Sequence, residues 1–245
     1  MWLRHFLSKD LPGCRVLIYG YNAKLSGRGT ANIEDYCREF LEEIKRVRGN
    51  EETRKRPLIF VAHSFGGIIL ARSLIKAIQS NDSDHQTIAS LHKATYALLL
   101  FAVPHSGLDV EDMRKIMGSE EHPRTGLLQQ IDIDSSQLKQ QLADFKDILY
   151  DRKVVSFYET EQSRRLQRNE RGDWARTGDY FTSLESERAV LQLPKQIETL
   201  IPLHSDHSGI VKFDNRNESG YRHTIEYLQS FEQDALAVVQ ARFCK

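Results

Sequence analysis

The chain has 245 residues, of which 40 % are apolar and 28 % charged, and its formal net charge is zero. That length supports one core of substantial size, and the charge balance argues against a general nucleic-acid binder, which needs a basic surplus to meet phosphate, while leaving room for a local basic patch. Cys14, Cys37 and Cys244 form neither a disulfide framework nor a zinc-binding pattern. So sparse a set points to a reducing, intracellular compartment. The N-terminus lacks the apolar stretch of a signal peptide. The longest apolar run, near Ala97 to Val103, is far below the roughly 20 residues of a membrane span.

In chain order, Arg15-Val-Leu-Ile-Tyr19 reads as a buried strand ending at Gly20. From Asn32 to Val47 the spacing predicts a helix, with Ile33, Tyr36, Phe40, Leu41, Ile44 and Val47 on one face. Residues 48–57 are polar and carry Gly49, Asn50 and Pro57, which reads as a loop. Arg54-Lys55-Arg56 within it reads as a solvated charge run rather than a localisation signal. Leu58-Ile-Phe-Val-Ala62 is a second strand, and Gly66 to Ile78 a helix. Ala94 to Val103, Val154 to Tyr158 and Glu198 to Leu203 are three further strands, and Tyr221 to about Arg242 is a closing helix. Short apolar strands separated by helices predict one α/β domain over residues 1–245, with a mainly parallel sheet covered on both faces.

Two segments stand apart. In 108–150, Asp134 and Gln137 fit a capping box of the D-x-x-Q type, and Leu138, Leu142, Phe145 and Leu149 line one helix face. This helix packs on the sheet, caps a substrate pocket, or does both. Residues 162–184 are polar and arginine-rich, a long surface insertion.

The chemical signal is Phe60-Val-Ala-His-Ser64-Phe-Gly-Gly67. A buried strand runs through a small-residue turn into a helix, the setting of a nucleophile elbow. Ala62 and Gly66 supply the small side chains that the close strand–helix approach demands. The backbone N–H of Phe65, at the positive helix end, faces the place where an oxyanion would form. A serine nucleophile needs a base, and the base an orienting carboxylate. Ser64, Glu159 and His207 occur in the order this fold class uses, each just past the C-terminal end of a predicted strand. Glu161, Asp173 and Asp179 are alternative acids, and His204 is an alternative base. A nucleotide-binding reading is weaker, because neither GxGxxG nor a Walker pattern occurs.

The chain resembles the serine-esterase-type α/β-hydrolase domains of the "serine active site containing" family, domains that also stand at the front of fungal NACHT, ankyrin or tetratricopeptide proteins. The matching words are Trp2-Leu-Arg-His-Phe-Leu-Ser-Lys-Asp-Leu11, Arg15-Val-Leu-Ile-Tyr-Gly-Tyr21, Ala62-His-Ser-Phe-Gly-Gly67, Phe101-Ala-Val-Pro-His-Ser-Gly107, Ser156-Phe-Tyr-Glu159 and Ile201-Pro-Leu-His-Ser-Asp-His-Ser-Gly-Ile-Val-Lys-Phe213. They run in family order over almost the whole chain. The resemblance implies an α/β-hydrolase fold with Ser64 as nucleophile, Glu159 as acid and His207 as base. It implies cleavage or transfer of an acyl ester, lipid-like in character, without cofactor or metal. His105 matches a family histidine, and with His63 and Gly66 is expected to shape the site. The implied setting is cytoplasmic, compatible with peripheral membrane contact and with association with mitochondria or the endoplasmic reticulum.

Three departures matter. Ala102-Val-Pro-His105 replaces the family's Gly-Thr-Pro-His, and Arg188-Ala189 replaces Ser-Ala. The family also begins with a strand ending in a His-Gly turn, which supplies a second oxyanion donor, whereas this chain starts at the following helix. Such a loss removes a strand between those at Arg15 and Leu58, whose neighbours must then close the gap or leave backbone groups unpaired. Losing one oxyanion donor typically costs ~10²–10³ in turnover. Two functions therefore follow: an acyl-ester hydrolase, or a catalytically impaired module of the same fold that binds or signals.

Overall fold

The computed structural model describes residues 1–24, 27–80, 86–119, 121–170, 174–182 and 184–244. A π-helical segment, Leu3–Leu7, runs into the short α1 (Ser8–Asp10). α2 (Ile33–Val47) starts at Asn32 in a full capping box: the Asn32 side chain accepts from the Asp35 N–H, and the Asp35 carboxylate accepts from the Asn32 N–H. α3 (Glu51–Lys55) follows. Then come β1 (Leu58–His63), α4 (Phe65–Gln79), α5 (Gln86–Ala94) and β2 (Thr95–Phe101). α6 (Glu111–Met117), α7 (Thr125–Ile131) and α8 (Ser136–Asp147) precede β3 (Lys153–Glu159). β4 (Ser163–Arg168) and β5 (Trp174–Phe181) lead to β6 (Glu198–Leu203) and the long α9 (Ser219–Phe243).

Strands β1, β2, β3 and β6 form one parallel sheet in that order. Side chains alternate between its faces, as the period of a strand requires. Leu58, Phe60, Ala62, Leu98 and Leu100 enter a core made with α2, α4, α5 and α8. Ile59, Val61, Leu99, Phe101, Val155 and Phe157 enter a second core beneath α9 and the N-terminal helical segment. There Phe101 and Phe157 stack at 4.2 Å, and Trp2 packs on Phe213 and Tyr221. The Trp2 indole N–H donates to the Val211 carbonyl at 2.9 Å. The N-terminal helix is thereby pinned to the segment that follows β6.

Four expectations are corrected. Residues 15–19 form no strand. They meet no strand edge, and Leu17 and Ile18 are 51 % and 62 % exposed. The run instead divides its side chains between the two cores, Val16 going to one and Tyr19 to the other. The neighbours do not close the expected gap: β1 remains an edge strand, half-buried along its length. Residues 48–57 are not a simple loop, because Asn50 caps α3 by accepting the Thr53 N–H at 2.8 Å. Within that stretch Lys55 and Arg56 pair with Glu51 and Glu52 one turn back. The cap of α8 is Ser135, whose hydroxyl accepts from Leu138 N–H, so the cap sits one residue beyond Asp134.

α8 packs on α4, and the Gln141 amide donates to the Ile68 carbonyl at 3.0 Å. The segment 162–184 contains β4 and β5, paired antiparallel in a sheet of their own. A cleft of about 440 Å³ between this hairpin and α6 is lined by Asp112, Lys115, Arg165, Arg168 and Trp174, and it does not include Ser64.

Candidate active site

β1 delivers Ser64, β3 ends at Glu159, and the loop after β6 carries His207. All three lie at the C-terminal edge of the parallel sheet, where ligand sites of such sheets form. Ser64 adopts φ 49° and ψ −127°. A non-glycine residue there is strained, and the surroundings must over-determine it. The Ser64 N–H donates to the Phe101 carbonyl at 3.0 Å, and the Ser64 carbonyl accepts from Gly67 N–H at 2.9 Å. The tightest packing demand falls at Gly67, where a Cβ would lie 2.3 Å from Val103 Cγ2. At Gly66 a Cβ would lie 3.2 Å from the Tyr21 hydroxyl. Phe65 opens α4, so its N–H has no acceptor within the helix.

Ser64 Oγ lies 2.9 Å from His207 Nε2, and His207 Nδ1 lies 3.1 Å from Glu159 Oε2. The other carboxylate oxygen of Glu159 accepts the Leu184 N–H at 3.0 Å. Glu159 is buried, and its position is fixed from both sides. The His207 loop is shaped by Asp206, a residue the sequence reading passed over. Its Oδ1 accepts from the N–H groups of Ser208 and Gly209 at 3.0 and 2.7 Å. The signal was present, since Asp commonly bonds the backbone two residues on.

His63 Nε2 lies 3.0 Å from the His207 carbonyl oxygen. Burial, with the nearby His207, lowers its pKa to about 4. His105 is 5 % exposed, and its Nε2 has no partner among the described residues. Burial, with the Lys146 charge, lowers its pKa to about 3. Its ring lies against Phe145, 6.2 Å between centroids. Both histidines are therefore neutral near pH 7.

The alternatives lie elsewhere. His204 is exposed, with Nδ1 3.2 Å from the Thr160 hydroxyl. Glu161 is exposed, Asp179 lines the hairpin cleft, and Asp173 lies outside the described residues. Tyr21 carries no chemical signal of its own in the sequence, yet its ring packs on Phe65 and Tyr36 beside the elbow. Buried Arg124 steadies this side by donating to the Tyr36 hydroxyl at 2.5 Å and the Asn22 carbonyl at 3.1 Å. Among the described residues, no group of three or more His, Cys, Asp or Glu could hold a metal ion. Nor is any helix among them long and apolar enough to cross a membrane.

The chain is 26 % identical over 239 residues to the protein SERAC1 of Danio rerio and 24 % over 250 residues to that of Bos taurus. These alignments cover 93 % and 96 % of this chain but 32 % and 33 % of the relatives, so it spans about a third of their length. No family model matches. Phospholipase PlaB from Legionella pneumophila superposes with a TM-score of 0.63 at 11 % identity, over 98 % of this chain and 58 % of that one. A second structure of PlaB, in complex with thio-NAD, superposes with a TM-score of 0.58. The fold is thus of the α/β-hydrolase type, with a mainly parallel sheet between helices.

Proposed function

We propose that this chain is a serine hydrolase of lipid-like acyl esters. The observation that carries the reading is the run of contacts from Ser64 Oγ through His207 to the buried Glu159, beginning at a serine with strained backbone. In this reading His207 Nε2 takes the Ser64 proton as Oγ attacks the ester carbonyl carbon. The Phe65 N–H meets the oxyanion. The tetrahedral intermediate collapses, and the alcohol leaves with the proton held on His207. Water, deprotonated by the same nitrogen, then frees the acid and restores Ser64. Glu159 holds the Nδ1–H tautomer that leaves Nε2 free to accept. A lipid-like ester is supported by the likeness to a named phospholipase. The setting proposed is intracellular, at or near a membrane surface.

A second reading, a non-catalytic module, is favoured by one observation. β1 is a sheet edge, and the chain beside the elbow is the irregular segment that carries Tyr21. A fluorophosphonate probe separates the two. The hydrolase reading expects labelling of the wild type and none of Ser64→Ala. A folded wild-type protein that takes no label would establish the second.

A further inference from the structure

The β4–β5 hairpin brings arginines and aromatic side chains together. Its register pairs Arg164 with Tyr180, Leu166 with Arg176 and Arg168 with Trp174. Directly opposed residues share a face, but the register shifts between Arg164 and Leu166, and Leu166, Arg168 and Trp174 line the cleft against α6. The Arg164 guanidinium sits 4.2 Å from the Tyr180 ring centre and that of Arg168 5.4 Å from Trp174. Arg164, Arg168, Arg176 and Tyr180 are exposed. Among the described residues, none of these three arginines has a carboxylate partner. Arg165 contrasts with them: it pairs with Asp112 at 3.1 Å and approaches Asp109. The hairpin thus presents three guanidinium groups that have no carboxylate partner among the described residues, two of them over aromatic rings.

The hairpin also has a set place. It leaves the sheet just past Glu159 and returns just before Leu184, whose N–H binds the Glu159 carboxylate. It therefore springs from the same sheet edge that carries Ser64 and His207.

We propose that this hairpin docks the chain on an anionic lipid bilayer. Arginines interleaved with Trp and Tyr suit the headgroup zone, where cations meet anionic lipid and amphipathic rings settle. A polynucleotide fits less well: the chain's net charge is zero, and two of the aromatic rings already carry guanidinium groups over a face. Docking would bring the sheet edge to the layer that holds an acyl ester. Only this last consequence rests on the hydrolase reading.

The test is sedimentation of Ser64→Ala protein with vesicles of phosphatidylcholine, alone or mixed with phosphatidylserine. Binding is expected only to the anionic vesicles and to weaken with salt. Each arginine near such a surface contributes about fivefold in affinity. The triple variant Arg164→Gln, Arg168→Gln, Arg176→Gln should therefore bind about 10²-fold more weakly. The matching triple lysine variant should keep most of the binding, which guards against a folding defect. Equal binding to both vesicle types, an unaffected glutamine variant, or preferential capture of a single-stranded oligonucleotide would overturn the proposal. Chemistry is read separately as turnover of a soluble short-chain ester by protein with Ser64 intact. The glutamine variant should keep that turnover, and a wild type without it sinks the hydrolase reading while leaving docking standing.

Discussion

His63 Nε2 lies 3.0 Å from the backbone carbonyl oxygen of His207, so the residue before the strained serine holds the backbone of the residue that faces it. A carbonyl only accepts, so Nε2 carries the hydrogen. In the proposed site His63 is a positioning residue. His63→Phe should lower kcat by up to ~10²-fold, as small misplacements of reacting groups do, with KM little changed. His63→Gln, which can still donate, should recover much of the loss. Stopped assays with a soluble ester would measure both, and a KM effect alone would refute the role.

Glu159 is buried and divides its oxygens between His207 and Leu184, whereas Asp179 lines a separate cleft. Glu159→Gln should reduce kcat by about 10⁴-fold, because the amide no longer enforces the needed imidazole tautomer. Asp179→Asn should leave turnover unchanged. Equal losses in the two variants would show that the acid has been wrongly assigned.

Gly67 is the tight point of the elbow. In Gly67→Ala the new Cβ meets Val103, itself fully buried. Such overpacking costs about 1–3 kcal/mol, which lowers Tm by roughly 2–12 °C in a chain of this size. Gly66→Ala, opposed by the Tyr21 hydroxyl at 3.2 Å, should cost less. Adding Val103→Ala to Gly67→Ala should restore part of the lost stability in thermal unfolding. A double variant no more stable than the single one would locate the strain elsewhere.

His105 and His63 have folded pKa values of about 3 and about 4, against an ordinary value of 6.5. The unfolded chain therefore binds their protons first as pH falls. Their contribution to stability is constant above about pH 6.5, is lost progressively below it, and levels off only near pH 3–4. Urea unfolding between pH 7 and pH 4 should show this decline. His105→Asn should make it shallower, and an unchanged slope would contradict the burial of a neutral ring.

Much of the fold was legible because its strands are short, apolar and bounded by turn residues. Glu198 to Leu203 is a strand at those bounds, and His207 comes within hydrogen-bond distance of both Ser64 and Glu159. The failures have local causes. At residues 15–19 an apolar run promised a strand, but pairing needs a free edge as well as apolar side chains, and none meets it. At 48–57, polar residues with Gly and Pro masked a single helical turn that rests on Asn50 and two ion pairs. The hairpin escaped notice because β4, Ser163–Arg168, buries only Ser163 fully and shows no apolar alternation. Contacts such as His63 with His207 depend on loop paths that no spacing encodes.

Ser64 and His207 are 143 residues apart in the chain, and His207 and Glu159 are 48 apart. Their three supports are different strands, and β6 joins the sheet by pairing with β3. Such non-local pairing is slow and comes late, because loop closure costs entropy before contacts repay it. A half-assembled sheet can hold the serine turn and still lack its base. In the proposed hydrolase, turnover would report completed folding: during refolding, ester turnover should emerge after helical content.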